Sequence, residues 1–260
     1  QALVIGAGPA GLMAAQELAN AGLQVTIAEA KPSAARKFLM AGKSGLNLTK
    51  DEPKEEFIEV FGDRAEALRP MLEAFGPQGV KAWAHWLDQS VFTGSSGRVF
   101  PEVMKASPLL REWLKRLDAQ GVTLKTRWRW VGGTAFDTPE GRVEFTADVT
   151  VLACGGASWS RLGSDGVWAT HLAEKSVDLA TFEPANAGLI VNWSDHMEPV
   201  LGQPLKGVAF KAGRSESRGE AVISKRGLEG GGIYSISKAV RNGSDLSIDL
   251  LPDVSVDDLT

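Results

Sequence analysis

In 260 residues the sequence carries one cysteine, one tyrosine and three histidines, and each scarcity removes a class of chemistry. With Cys154 alone, there is no internal disulfide, no CxxC redox pair and no cysteine-rich metal site, which excludes thiol-disulfide reductases. His85, His171 and His196 lie far apart and in no HxxxH or HExxH pattern, so no metal centre is predicted. No GxSxG elbow is present, which leaves a hydrolase of that type unsupported. No apolar run approaches the roughly 20 residues that span a bilayer, and the apolar start lacks the basic flank and cleavage site of a signal peptide. The expected location is cytoplasmic, and the Asn-x-Ser/Thr triplets at Asn47, Asn192 and Asn242 then say nothing of glycosylation. An excess of one charge is missing too. The 28 basic and 32 acidic residues leave a formal charge of -4, with no footprint for nucleic acid or anionic lipid. The expected partner is a small molecule.

What is present is enough apolar residue, 43%, to bury a core in one large or two modest domains. Ala2 to Ile5 is an uninterrupted apolar run, as in a parallel strand buried on both faces. The spacing predicts a helix from Pro9 to about Ala21, with Leu12, Ala15, Leu18 and Ala19 on one face and Gly22 as its stop, then a strand over Val25 to Ala28. Two parallel neighbours joined by a crossover helix make the class α/β. From Glu55 to Leu87 apolar residues recur at helical spacing, and Ser107 before Pro108 reads as an N-cap with proline in the first turn, so a helical insertion is expected over about 51–120. Beyond Gly121 the period becomes two, with Val122, Leu124, Trp128 and Trp130 on one face and a solvated basic row, Lys125, Arg127 and Arg129, on the other. A turn over Asp137 to Gly141 leads to strands at Arg142 to Phe145 and Thr150 to Ala153. From about Leu179 short β segments follow, Gly188 to Asn192, Gly207 to Lys211, Glu220 to Ser224 and Leu246 to Leu250. The expected division is a domain over 1–178 and a β-rich, substrate-side domain over 179–260.

The chemistry gathers at three segments. In the first, Gly6, Gly8 and Gly11 stand in GxGxxG spacing between the first strand and the first helix, and Glu29 ends the second strand. This is the register of a Rossmann dinucleotide site: Gly6 permits a tight turn, Gly8 lets the backbone approach a pyrophosphate, and Gly11 lets helix and strand pack closely. The N–H groups around Pro9 and Ala10 and the helix dipole favour phosphate. Glu29, followed by Ala30, is placed to accept hydrogen bonds from ribose hydroxyls, and its charge repels a 2′-phosphate, so FAD or NAD fits and NADP does not. The second segment, Arg36 to Thr49, carries Arg36, Lys37, Gly42, Lys43 and Asn47. Its glycines and cations suit either a loop across a diphosphate or flavin edge or an ordinary exposed loop. Gly42-Lys43-Ser44 is no Walker A end, because Lys37 stands where that motif needs glycine. In the third, the last strand of the first domain runs through Ala153 and Cys154 into Gly155 and Gly156, either at the crevice of an open α/β sheet or in a tight strand-to-helix connection. Cys154 has no evident histidine partner and reads as a small packed residue.

Together these segments, with Gly97 to Pro101 and Lys225 to Gly230, resemble the BaiN/YhiN-like family of NAD(P)/FAD-dependent oxidoreductases, bacterial flavoproteins, along the whole chain. The resemblance implies bound FAD, a nucleotide domain joined to a barrel-like β domain, and hydride transfer through the flavin. It implies cofactor contacts at Gly8, Gly11, Glu29, Arg36, Lys37, Gly42, Asn47, Gly155 and Gly156, and at Trp130 through its backbone. Gly45 and Leu46 stand where many relatives carry arginine and cysteine, which puts any polar role there in doubt. Relatives also continue into a glycine-rich motif that returns to the flavin. This sequence starts without methionine and stops at Thr260, after Asp253 to Asp258 open what reads as a helix, so a domain cut short is expected. The implied activity is an FAD-dependent oxidoreductase reduced by NAD(P)H. The alternatives are a flavin monooxygenase or oxidase and a flavin-binding module without turnover. No second glycine fingerprint exists, so NAD(P)H is a transient visitor. No residue declares itself catalytic; Tyr234 and Lys43 are the candidates for a proton donor or a flavin-tuning group, each against a structural role.

Overall fold

The computed structural model describes residues 1–43, 45–255 and 258, in two compact units, Gln1–Ala180 and Thr181–Thr260. The first unit runs β1 (Ala2–Ile5), α1 (Pro9–Asn20), β2 (Val25–Glu29), α2 (Arg36–Ala41), β3 (Thr49–Lys50), α3 (Lys54–Glu59), α4 (Ala65–Ala74), α5 (Pro77–Trp86), β4 (Val91–Thr93), β5 (Arg98–Pro101) and α6 (Ala106–Ala119). It continues through β6 (Thr123–Thr126), β7 (Arg129–Trp130), β8 (Ala135–Thr138), β9 (Gly141–Glu144), β10 (Val149–Leu152) and α7 (Trp168–Ala173).

Its central sheet has the order β10-β1-β2-β6, parallel throughout, with Ala2 opposite both Val25 and Val149. All four residues of β1 are buried, which is why that strand is apolar without alternation. One face of the sheet packs on α1 and α6 through Val4, Leu12, Ala15, Ile27, Leu109 and Trp113. The other face, Leu3, Ile5 and Ala28, is covered by Phe136 and Trp128, from and beside an antiparallel meander β7-β8-β9. Trp113 is 1% exposed, donates its indole N–H to Gln16 Oε1 at 2.8 Å, and meets Trp83 edge to face at 4.7 Å.

The segment expected as a helical insertion holds α3, α4 and α5 but also an antiparallel sheet β3-β5-β4. There the Asp51 carboxylate accepts hydrogen bonds from Lys81, Gln78 and Thr93 at 2.6, 3.2 and 3.4 Å. The helix α6, read as part of the insertion, instead lies against α1 on one face of the central sheet, because its stripe Leu109, Leu110, Trp113 and Leu117 is buried there. It starts two residues earlier than Ser107 suggests: Lys105 is the N-cap and Ser107 is already helical. Pro108 then occupies the third position, where a missing N–H leaves no helical bond unmade.

The alternating stretch from Val122 to Trp130 is two strands of two sheets. Arg127 has φ 61°, and the chain swings over the end of β2, with Arg127 N–H donating to Lys31 O at 3.1 Å and Trp128 N–H to Glu29 O at 2.9 Å. This crossing delivers Trp128, Arg129 and Trp130 to the carboxyl end of β2.

The second unit comprises β11 (Leu189–Ile190), β12 (Pro204–Ala212), β13 (Ser215–Ser224), β14 (Gly227–Glu229), α8 (Gly231–Tyr234), α9 (Ser237–Arg241) and β15 (Leu246–Asp249). Its sheet is antiparallel in the order β11-β14-β13-β12-β15, over a core of Phe210, Ile223, Leu228, Ile233 and Ile236. Among the described residues β11 and β15 remain separate edges, so the sheet is open where a barrel-like closure was expected. The glycine run from Gly227 to Gly232 has a packing cause: a Cβ on Gly232 would lie 2.8 Å from the Phe210 ring, and one on Gly227 1.9 Å from Leu189 O. Of the helix expected to begin at Asp253, residues 256 and 257 lie outside the described residues, as does Ser44 of the second glycine segment.

Candidate functional site

The turn between β1 and α1 contains three glycines with different physical causes. Gly6 has φ 105°, and a Cβ there would sit 2.4 Å from Ala153 O, so both backbone and space demand glycine. A Cβ on Gly11 would fall 1.9 Å from Gly6 O; this buried glycine lets α1 lie directly on the turn. Gly8 is unlike both. Its φ of -79° and ψ of 179° suit any residue, and a Cβ there meets nothing within 4 Å. No neighbouring protein atom asks for glycine at that position.

Gly8 is also the N-cap of α1, which has no side-chain cap and no acid in its first turn. The first helical bond runs from Leu12 N–H to Gly8 O at 2.9 Å, leaving the N–H groups of Ala10 and Gly11 without helical acceptors. The carboxylate of Glu29 is fixed close by. Oε2 accepts the Ala7 N–H at 2.9 Å and Oε1 the Lys31 N–H at 2.8 Å, which ties the glycine turn to the end of β2 and leaves each oxygen a second lone pair.

A cleft of about 410 Å³ opens over these groups. Of the residues expected to bind, Gly6, Gly8, Pro9, Ala10, Glu29, Ala30, Arg36, Lys37, Trp130, Ala153, Cys154 and Gly155 line it. Gly11 lies beneath the turn, Gly156 lines no cleft described here, and Asn47 is exposed away from it. Gly42 and Lys43 line a second cleft instead, shared with Arg36. Gly42 has its own packing cause, since a Cβ would lie 2.5 Å from Ala106 Cβ. Gly155, with φ 77°, would press a Cβ to 2.4 Å from Ser164 Oγ, so it too answers to a protein neighbour. Tyr234 lies on α8 of the second unit.

Within the first cleft the Trp130 indole N–H donates to Gly133 O at 2.9 Å and its ring meets His171 edge-on at 5.3 Å. Lys37 Nζ donates to Ser158 O at 3.3 Å. Arg36 Nε is buried and has no partner, while its Nη1 reaches Ser33 Oγ at 3.3 Å. Burial, then the charges of Glu29 and Asp165, push the Cys154 thiol up to about 11, so it is a protonated packing group at neutral pH, not a nucleophile. Burial works against the Asp165 carboxylate. The Val167 N–H and the Arg129 guanidinium, at 3.2 Å each, outweigh it and hold the pKa below the ordinary value.

Sequence reasoning missed part of this lining: Trp128, Arg129, Ser164, Asp165, Trp168 and His171. The chain returns here after Gly155, and Trp168 donates its indole N–H to Gly155 O at 2.9 Å. The signal available was the turn Gly163-Ser164-Asp165-Gly166 with Trp168 two residues beyond it; Gly163 and Gly166 both take positive φ, 117° and 75°.

A parallel sheet of this order, with a glycine turn at the carboxyl end of β1 and a carboxylate at the end of β2, defines a Rossmann-type α/β domain. The HI0933-like protein Rossmann domain family matches residues 1–236, and the chain belongs to that family. Among solved structures, the open conformation of a flavocytochrome c3 fumarate reductase shares the fold with TM-score 0.56 and 19% identity, over 80% of this chain and 47% of that one. OxyS anhydrotetracycline hydroxylase from Streptomyces rimosus matches with TM-score 0.41 and 15% identity, over 82% of this chain and 42% of that one. The chain thus spans about half the length of these structures. No curated protein matches it. Among the described residues no helix is long and apolar enough to cross a membrane.

Proposed function

We propose that the chain binds FAD in the first cleft and serves as an FAD-dependent oxidoreductase, with NAD(P)H as transient reductant and a small organic molecule as substrate. The observation that carries this reading is Gly8: a glycine that neither backbone strain nor any protein neighbour requires, at the open N-terminus of α1. A phosphate seated against that N-terminus supplies the missing reason, because a side chain there would fill its place.

The remaining residues fit the adenosine diphosphate half of the cofactor. The free N–H groups of Ala10 and Gly11 donate to the pyrophosphate. The spare lone pairs of Glu29 accept ribose hydroxyls while its charge turns away a 2′-phosphate. Trp128, Trp130 and Trp168 line the same cleft and offer aromatic surface to a purine. Cys154, held protonated, adds no competing nucleophile. When bound, FAD supplies the two-electron chemistry, and the chain's task is to bind, orient and exclude water.

The visible absorption spectrum of the purified protein, followed by anaerobic NADH and NADPH, tests the proposal. Flavin bands that bleach on addition are the expected result. A colourless protein that takes up no added FAD ends the reading.

A further inference from the structure

Next to the first cleft lies a second of about 570 Å³, bounded by Arg36, Lys43 and Lys105, by the apolar side chains of Leu39, Met40 and Leu162, and by Ala106 and Ser107 at the start of α6. The two clefts share Ser33, Arg36 and Leu162. We infer that this second cleft binds a small organic anion, an apolar body carrying one carboxylate or phosphate group, and that the anion is the substrate; the last clause rests on the FAD reading, while the anion site itself does not.

Four observations converge. The cleft's size falls within the roughly 300 to 1,000 Å³ of small-molecule sites. Three cations border it and no described carboxylate does; among the described residues none of the three makes an ion pair. A concave cluster of like charges without a carboxylate is a place where an anion from outside relieves mutual repulsion. Arg36, which borders both clefts, gives Nη1 to a neutral partner, Ser33 Oγ at 3.3 Å, which leaves its charge uncompensated. Finally, the 14-residue helix α6 opens on the cleft with Lys105 as N-cap, no side-chain cap and no acid in its first turn.

The apolar wall narrows the ligand further. Leu39 and Met40, on α2, are 37% and 46% exposed and line the same cleft as the cations. A fully hydrated ion such as free phosphate leaves that wall unused. A molecule with both an apolar body and an anionic end covers it.

Isothermal titration of the FAD-loaded chain with octanoate, octyl phosphate and octanol tests the inference. The two anions are expected to bind at least tenfold more tightly than octanol. Lys105→Glu and, separately, Leu39→Glu are expected to weaken octanoate about tenfold or more, since each places a carboxylate in the cleft. Arg64→Glu, a reversal on the exposed insertion, is expected to leave it within twofold. FAD affinity, read by flavin fluorescence, is expected to be the same in all three variants. Equal binding of octanol, or equal loss in Arg64→Glu, overturns the site. Loss of FAD affinity in Lys105→Glu also overturns it, by giving the cleft to the cofactor. A chain that never takes up FAD refutes the cofactor reading alone, because the octanoate titration is then read on the unloaded protein with the same variants.

Discussion

Three glycines in six residues are predicted to fail in two different ways. Gly8→Ala adds a methyl group where no protein atom lies within 4 Å and where φ is -79°. Alanine is a poorer N-cap than glycine by roughly 0.5 to 1 kcal/mol, and the stiffer unfolded chain returns about 0.4 to 1 kcal/mol. The two offset, so the thermal midpoint of the unloaded protein should move by less than about 2 °C. In the loaded protein the same methyl presses on the pyrophosphate. Overpacking of this kind costs about 1 to 3 kcal/mol, which is about 5- to 150-fold in Kd for FAD. Gly6→Ala and Gly11→Ala reverse the pattern. Their methyl groups land 2.4 Å from Ala153 O and 1.9 Å from Gly6 O, and Gly6 adds a φ of 105°. Strain and overlap together cost roughly 2 to 5 kcal/mol, lowering the midpoint by roughly 4 to 20 °C with or without cofactor. Differential scanning fluorimetry and FAD titration of the three variants read both quantities. If Gly8→Ala binds FAD as the parent does, no group lies against Gly8, and the argument from that glycine is refuted.

Further outcomes follow from the same geometry. Glu29→Gln turns an amide N–H₂ towards either the Ala7 or the Lys31 N–H and should weaken FAD by about 1 to 3 kcal/mol; unchanged affinity would show that the ribose lies elsewhere. The parent protein should bind ADP and reject 2′,5′-ADP in a competition titration. At pH 8 Cys154 should react with iodoacetamide about 100-fold more slowly than the same thiol in the guanidinium-unfolded chain, since its pKa rises from 9.0 to about 11; equal rates would contradict the burial argument. Asp165 is held below the ordinary aspartate value of 3.8, so what it adds to stability is present above that pH and fades as pH falls through the lower folded value. Asp165→Asn should therefore lower the midpoint at pH 6 and have less effect near pH 3, and an equal effect at both would assign Asp165 a neutral role. Trp113→Phe should cost about 1 to 3 kcal/mol, because it leaves the buried Gln16 amide oxygen without its donor; combined with Gln16→Ala it should add less than its separate loss, and full additivity would show that the pair is not coupled.

The βαβ opening was legible because every cue in it is local: an apolar run, a turn that needs glycine, a helical stripe and a carboxylate at a fixed distance. The strand order was less so. Nothing within Thr123 to Thr126 says that it will pair with β2, and the even alternation through Trp130 concealed the left-handed break at Arg127. Composition cannot report a single backbone angle in a residue type that rarely adopts it. At the site, the residues carried by the glycine turn were read from spacing, whereas those of the return segment, Asp165, Trp168 and His171, reach the cleft by tertiary folding alone. Spacing also gave one label to glycines with separate causes. Gly42 and Gly155 fit a cofactor pattern in sequence, yet each sits against a protein neighbour, Ala106 and Ser164.

The position of β1 has a consequence for how the chain is made. It pairs with β2 on one side and with β10 on the other, and about 120 residues separate those partners. At a synthesis rate of about 5 to 20 residues per second, one edge of the most apolar strand waits roughly 6 to 24 s for its neighbour. During that interval Gly6 and Gly11 have no Ala153 to close upon. The nascent protein therefore carries an open, sticky strand edge while those residues are made, and its yield in a cell should depend on whatever shields that edge before Val149 emerges.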